Sequence, residues 1–224
     1  MRRALRAFST VLIVAGVLIL ADGAVTLLWE EPLSSLYARI EQGKLEDRLV
    51  QLERSDPSPV ERRVLARLAD PERRLRFAAR VALRRAERGG PVGRLHAGTI
   101  GLDEIIVQGT DGGTLRKGPG HYPDTPLPGA RGTVAIAGHR TTYGAPFRDV
   151  DDLERGDPIE VRMPYGRFTY RVERTSIVAP TATWVTHRVA YDRLVLTACH
   201  PLYSAAERIV VFARLERSAP TFGS

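Results

Sequence analysis

The sequence predicts a mainly β fold, a closed or nearly closed antiparallel barrel behind an N-terminal helical region, and three observations predict it. From Val92 onward, short runs rich in β-branched and aromatic residues alternate with glycine- and proline-rich turns. Before that point, apolar residues recur at helical spacing. Ahead of both lies one apolar stretch preceded by arginines. With 224 residues, 43% of them hydrophobic, the chain can bury one substantial core and carry appendages.

The N-terminus reads MRRALRAF and continues STVLIVAGVLILADGAVTLLW, with Arg2, Arg3 and Arg6 before the apolar run. Thr10 to Leu28 would span about 28 Å as a helix, enough to cross a bilayer core. This predicts a single-pass anchor over 1–29, with the N-terminus cytoplasmic and the remaining chain outside the cytoplasm. Asp22 sits toward the outer end, within reach of headgroups, and Trp29 suits an interface. A cleaved signal peptide, with an apolar core of Val11 to Leu20 and cleavage after Ala21 to Gly23, is the alternative.

Residues 30–91 read as a helical, arginine-rich stalk. Leu33, Leu36, Tyr37 and Ile40 fall at i, i+3, i+4 and i+7, and Leu45, Leu49 and Leu52 continue the pattern. SDPSP, Ser55 to Pro59, breaks that helix, and Val64, Leu65 and Leu68 mark a second. Asp70 and Pro71 open a third as cap and first-turn proline, with Leu75, Ala78, Ala79 and Ala82 as its stripe. Gly89, Gly90 and Pro91 end it. The chain carries 16 basic and 14 acidic residues from Val92 on, against 17 and 12 before it. Most of the charge excess, +5 of +7, therefore lies outside the β-rich half, which argues against a nucleic-acid-reading module.

Seven strand-like runs follow within 92–218: Arg94 to Leu102, Glu104 to Thr110, Gly132 to His139, Pro158 to Met163, Phe168 to Val178, Arg193 to Cys199 and Arg208 to Glu216. Residues 219–224 form a tail. Cys199 is the only cysteine, so it forms no disulfide within the chain. It stands where Pro201 ends a strand, and alternation turns the adjacent His200 to the other face. A thiol needs a neighbouring base or cation to become a nucleophile at neutral pH. Among five histidines, position favours His139, which closes an apolar strand, with His121 in the Pro/Gly loop second. Arg208 opens the strand after Cys199, so antiparallel pairing would bring it close, as a donor that can hold an oxyanion. Asp149, Asp151, Asp152, Glu154 and Asp157 lack the ordered alternation of a calcium loop and read as a solvated turn.

Ala137-Gly138-His139-Arg140, Leu196-Thr197-Ala198-Cys199 and Arg208, together with GPGHYPDTPLPGARG and TTYGAPF, resemble the sortases, membrane-anchored cysteine transpeptidases of Gram-positive bacteria. The likeness runs from about Arg94 to Leu215 and is greatest to the class E sortases of actinobacteria. It implies an eight-stranded β-barrel, with His139, Cys199 and Arg208 as the catalytic residues, and no cofactor or metal. The implied partners are secreted proteins with a C-terminal L-P-x-T-G or L-A-x-T-G sorting signal, and a peptidoglycan-precursor amine as acceptor. Thr197, His121 and Tyr122 are candidate substrate-binding residues. The family commonly reads T-L-x-T-C before the nucleophile; here Val195 and Ala198 replace the outer threonines. A pilus-assembling relative, a thiol hydrolase and a membrane-tethered binding barrel with an inert cysteine are the alternative readings.

Overall fold

The computed structural model describes residues 2–28 and 32–221. Four helices, α1 (Arg2–Leu28), α2 (Pro32–Arg54), α3 (Pro59–Arg67) and α4 (Pro71–Arg85), precede the strands. The strands are β1 (Pro91–Ala97), β2 (Leu102–Gln108), β3 (Gly120–His121), β4 (Thr133–Ala137), β5 (Pro158–Met163), β6 (Gly166–Val178), β7 (Arg193–His200) and β8 (Glu207–Pro220), with a one-turn helix α5 (Gly112–Leu115) between β2 and β3.

The strands close into a barrel in the order β1-β2-β3-β4-β7-β8-β6-β5. Eight strands and closure agree with expectation, but the uniformly antiparallel arrangement does not. β2 pairs with β3, and β4 with β7, in parallel. Parallel neighbours need a long crossover, and the chain supplies one by leaving β4, forming the β5–β6 hairpin on the far side of the barrel and returning along β4 as β7. The eighth strand, β3, is two residues inside the Pro/Gly loop, paired with Val107 and Gln108 on one side and with Ala137 and Ile136 on the other. Gly120 permits this, because a Cβ there would lie 2.2 Å from the carbonyl oxygen of Gly109.

Strand alternation divides the apolar residues into an interior and an outer set. Leu194, Leu196 and Ala198 of β7, Ile209, Val211 and Ala213 of β8, and Val134 and Ile136 of β4 meet Phe168, Tyr170 and Ile159 inside the barrel. Each such aliphatic or phenylalanine side chain contributes about 1.5–3 kcal/mol when fully buried. The intervening residues Ala135, Val195, Val210 and Phe212 face outward, where Val185, Tyr122, Val178 and Ala182 cover them.

The helices follow their capping signals. Asp70 accepts from the Glu72 amide with Pro71 in the first turn, and Ser58 with Glu61 makes a capping box for α3. Leu75 and Ala79 of α4 join the barrel core. In α2 the predicted Leu45 and Leu49 are buried together with Ala38, whereas the predicted Leu33, Leu36, Tyr37, Ile40 and Leu52 are exposed, so the stripe holds only in part. Gln42 decides the matter. Its amide donates to the carbonyls of Ile105 and Lys117 and accepts from the Ile105 amide, while Leu45 and Leu49 pack on Ile105 and Val107.

The expected transmembrane segment is not supported. Among the described residues no helix is long and apolar enough to cross a membrane. Trp29 lies outside the described residues.

Gly138 is the tightest point beside the end of β4. A Cβ there would lie 2.5 Å from Cδ2 of Phe147, a ring with 0% exposure. Gly138→Ala must displace that ring, and a loss of roughly 1–3 kcal/mol is expected in chemical denaturation; an unchanged midpoint would show that Phe147 moves freely.

Candidate active site

The parallel register of β4 on β7 places Ala137 opposite Thr197, and the Gly138 amide donates to the Thr197 carbonyl at 3.0 Å. His139 and Cys199 each lie two residues further on, so His139 emerges past the end of β4 on the flank of β7 that carries Cys199, which stays paired to β8. On the other flank of β7, antiparallel β8 sets Arg208 directly opposite Cys199. Thus three residues expected from widely separated sequence positions occupy the ends of three consecutive barrel strands. Val195, Thr197 and Cys199 alternate with the core-facing Leu194, Leu196 and Ala198, which puts the thiol on the outer face. Cys199, His139 and Arg208 are each half-buried.

His139 is enclosed by the loop that follows it. Its carbonyl accepts from the Phe147 amide at 2.9 Å, and left-handed backbone at Tyr143, Gly144 and Ala145 (φ 54°, 73° and 41°) turns that loop back over the ring. The Tyr143 ring lies 5.3 Å from the imidazole, inclined by 41°. Tyr143 is held in turn by Ser34 of α2, whose hydroxyl accepts from its amide at 3.2 Å, by Tyr37 edge-on at 6.4 Å, and by the Arg116 guanidinium 5.5 Å above its ring. Nε2 of His139 is buried and has no hydrogen-bond partner among the described residues. Burial first, and the Arg116 cation second, push the His139 pKa below its ordinary value. The resting ring is therefore biased toward the neutral form, which can accept a thiol proton.

Arg208 is held by its own loop: Nη1 donates to the carbonyls of Ala205 at 3.0 Å and Glu207 at 2.8 Å. Both bonds use one nitrogen of a group with five donors, which leaves others to meet an oxyanion beside Cys199. Thr197, two residues back on the outer face, is buried, and its hydroxyl bonds that of Tyr122 at 3.0 Å. Tyr122 belongs to the outer apolar cluster.

His121 does not reach this site. Its ring is 1% exposed, with Nδ1 bonded to Gln108 at 2.9 Å and Nε2 to the Pro126 carbonyl and the Thr125 hydroxyl, both at 3.2 Å. Burial pushes its pKa down to about 4, so it acts as a neutral clasp for the Pro/Gly loop. Sequence reasoning missed Tyr143 and Arg116. TTYGAPF entered only as a phrase of the family resemblance, and nothing in the sequence tied Arg116 to His139. Among the described residues no group of three or more His, Cys, Asp or Glu side chains could hold a metal ion. Within the acidic cluster, Asp151 pairs with Arg140 and Asp157 accepts from the Glu154 amide.

A sortase domain is recognised over residues 95–216, just over half of the chain. The chain is 35% identical over 132 residues to Sortase D of Bacillus subtilis, covering 57% of this chain and 65% of that protein. It is 30% identical over 115 residues to Sortase SrtE1 of Streptomyces coelicolor, covering 45% and 33%. The chain thus spans less than two thirds of the length of these curated relatives. Sortase E from Streptomyces avermitilis superimposes with a TM-score of 0.55 at 31% identity, over 60% of this chain and 93% of that one. A Clostridium perfringens Sortase D5 transpeptidase shares the fold, with a TM-score of 0.64 at 20% identity over 80% and 99%.

Arg116→Gln removes the nearby cation while leaving the burial of His139. The His139 pKa is expected to rise yet stay below the usual ~6.5, read as the titration midpoint of its ring protons by NMR. An unmoved midpoint would assign the whole depression to burial.

Proposed function

Because the chain belongs to the sortase family, we propose that it is a cysteine transpeptidase that joins secreted proteins to the cell envelope. The observation that carries this is the shared strand-end register of His139, Cys199 and Arg208. His139 takes the Cys199 proton, and the sulfur attacks the carbonyl carbon of the Thr-Gly bond in a sorting signal, forming a C–S bond. Charge moves to the carbonyl oxygen, where Arg208 donates to it. The oxyanion collapses, the C–N bond breaks, and the imidazolium gives its proton to the departing glycine amine. An incoming amine, that of a peptidoglycan precursor, then attacks the thioester, passes its proton to His139 and frees Cys199.

The outer face supplies a path for an extended substrate, along Thr197 and Tyr122 toward the sulfur. We assign the sorting signal to the L-P-x-T-G/L-A-x-T-G class. The apolar side chains of α1 are exposed from Phe8 to Leu20, and Arg6 precedes them, features that favour attachment of this end to a membrane with the barrel on the extracytoplasmic side.

Intact mass spectrometry with L-A-x-T-G and L-P-x-T-G peptides should show a thioacyl adduct on the wild-type protein and none on Cys199→Ala. Turnover in that variant and in His139→Ala should fall at least ~10³-fold. Persisting turnover in Cys199→Ala rejects the nucleophile, and failure of an added amine to divert product from acid to amide makes the protein a hydrolase. Deleting residues 1–28 should move the protein from the membrane pellet to the supernatant; an unchanged distribution removes the tether.

A further inference from the structure

Alternation along β7 sends Cys199 outward and His200 the other way, and on that second side His200 meets the residue that follows His139. Nη1 of Arg140 lies 3.3 Å from Nδ1 of His200. The guanidinium can only donate, so Nδ1 accepts and the His200 proton resides on Nε2. The rest of the guanidinium is fully engaged. Nε and Nη2 donate to the Arg148 carbonyl at 3.1 and 2.9 Å, and Nη2 also donates to the Asp151 carboxylate at 2.5 Å. The Arg140 side chain is 2% exposed. A buried cation costs several kcal/mol of desolvation unless its bonds offset it, and none of the steps proposed for the reaction uses this one.

The register explains what it does. The last paired residues of β4 and β7 are Ala137 and Thr197, followed by the Gly138-to-Thr197 bond. His139 and Cys199 stand past that point, where the ladder no longer sets their separation. Arg140 and His200 are their immediate neighbours, and their contact ties the two strand ends there. The Arg148 and Asp151 bonds fasten the same guanidinium to the far end of the loop that folds over His139.

We propose that Arg140 is a positioning residue which, through His200, Asp151 and the Arg148 carbonyl, fixes the spacing of the His139 imidazole and the Cys199 sulfur. This rests on the assignment of those two residues as the reacting pair. Displacing reacting groups by about 1 Å costs up to ~100-fold in rate, so the effect belongs in kcat and in thiol reactivity, with substrate affinity unchanged.

The test uses the full chain, with kcat and KM for the acylating peptide, the pH profile of Cys199 alkylation by iodoacetamide, and the thermal midpoint of every variant. Arg140→Lys keeps the charge but not the fork, and Arg140→Gln removes both. Each should lower kcat ~10- to 100-fold with KM within about twofold, and move the alkylation profile away from that of the wild type. His200→Asn keeps an acceptor near the Nδ1 position and should hold kcat within about fivefold of wild type, whereas His200→Leu should follow the Arg140 variants. Wild-type kcat and alkylation profile in folded Arg140→Lys and Arg140→Gln would overturn the inference. If the Arg140 variants do not fold, equal activity of the Asn and Leu variants at position 200 would overturn it. An alkylation profile unchanged in His139→Ala would instead overturn the reacting pair itself, a result visible without any Arg140 variant.

Discussion

The parallel pairing of β4 with β7 is the constraint on which the site depends. Two strands running the same way end at the same rim of the barrel, so residues at equal distances past the last shared pair emerge together. Had β7 returned antiparallel to β4, the ends carrying His139 and Cys199 would lie at opposite rims. The crossover through β5 and β6 is what makes the parallel pairing possible, and closure by β6 and β8 holds β7 between β4 and β8. Arg208 then arrives by a different route, an antiparallel turn of the chain directly after the nucleophile. One imidazole, just past the last β4–β7 pair, and one guanidinium, opposite Cys199 in the β7–β8 ladder, thus flank the sulfur.

Electrostatics around this rim are biased against charge at rest. Burial and Arg116 both disfavour an imidazolium at position 139. A proton moved from a thiol to this imidazole creates the cation and the thiolate together, and their mutual attraction offsets part of that penalty. Tyr143 connects this balance to the rest of the molecule, because its ring lies between His139, Tyr37 of α2 and Arg116 beyond β2. Helix α2, through Gln42 on the Ile105 and Lys117 backbone and Ser34 on Tyr143, therefore braces the site loop and the strand beneath it.

Much of this was legible in the sequence, and what was not has physical reasons. Seven strands announced themselves by β-branched residues and turn punctuation, and Asp70-Pro71 announced a helix start, because these signals are local. β3 has two residues and no alternation to read; it exists because Gly120 lets the backbone approach Gly109. The buried face of α2 runs through Ala38, Gln42, Leu45 and Leu49, in which a glutamine satisfies strand backbone, so an apolar count found Leu45 and Leu49 but misplaced the earlier turns. The direction of β7 relative to β4 is a property of the whole topology. The proximity of Arg116 to His139 crosses from one strand connection to another and leaves no mark in spacing.

The departure of LVLTAC from the family's usual pattern also acquires a physical account. Val195 faces outward yet is 0% exposed, packed with Ala135, Val185 and Phe212. A threonine hydroxyl there would need a partner inside an apolar cluster or cost about 1–3 kcal/mol. Ala198 points the other way, into the barrel core, where the same argument holds. Thr197 is the position on the outer face next to Cys199 where a hydroxyl has a partner, the Tyr122 phenol at 3.0 Å. The polar contact on this face next to Cys199 is therefore the Thr197–Tyr122 pair. The two apolar residues pack the wall on either side of it, Val195 in the outer cluster and Ala198 in the core.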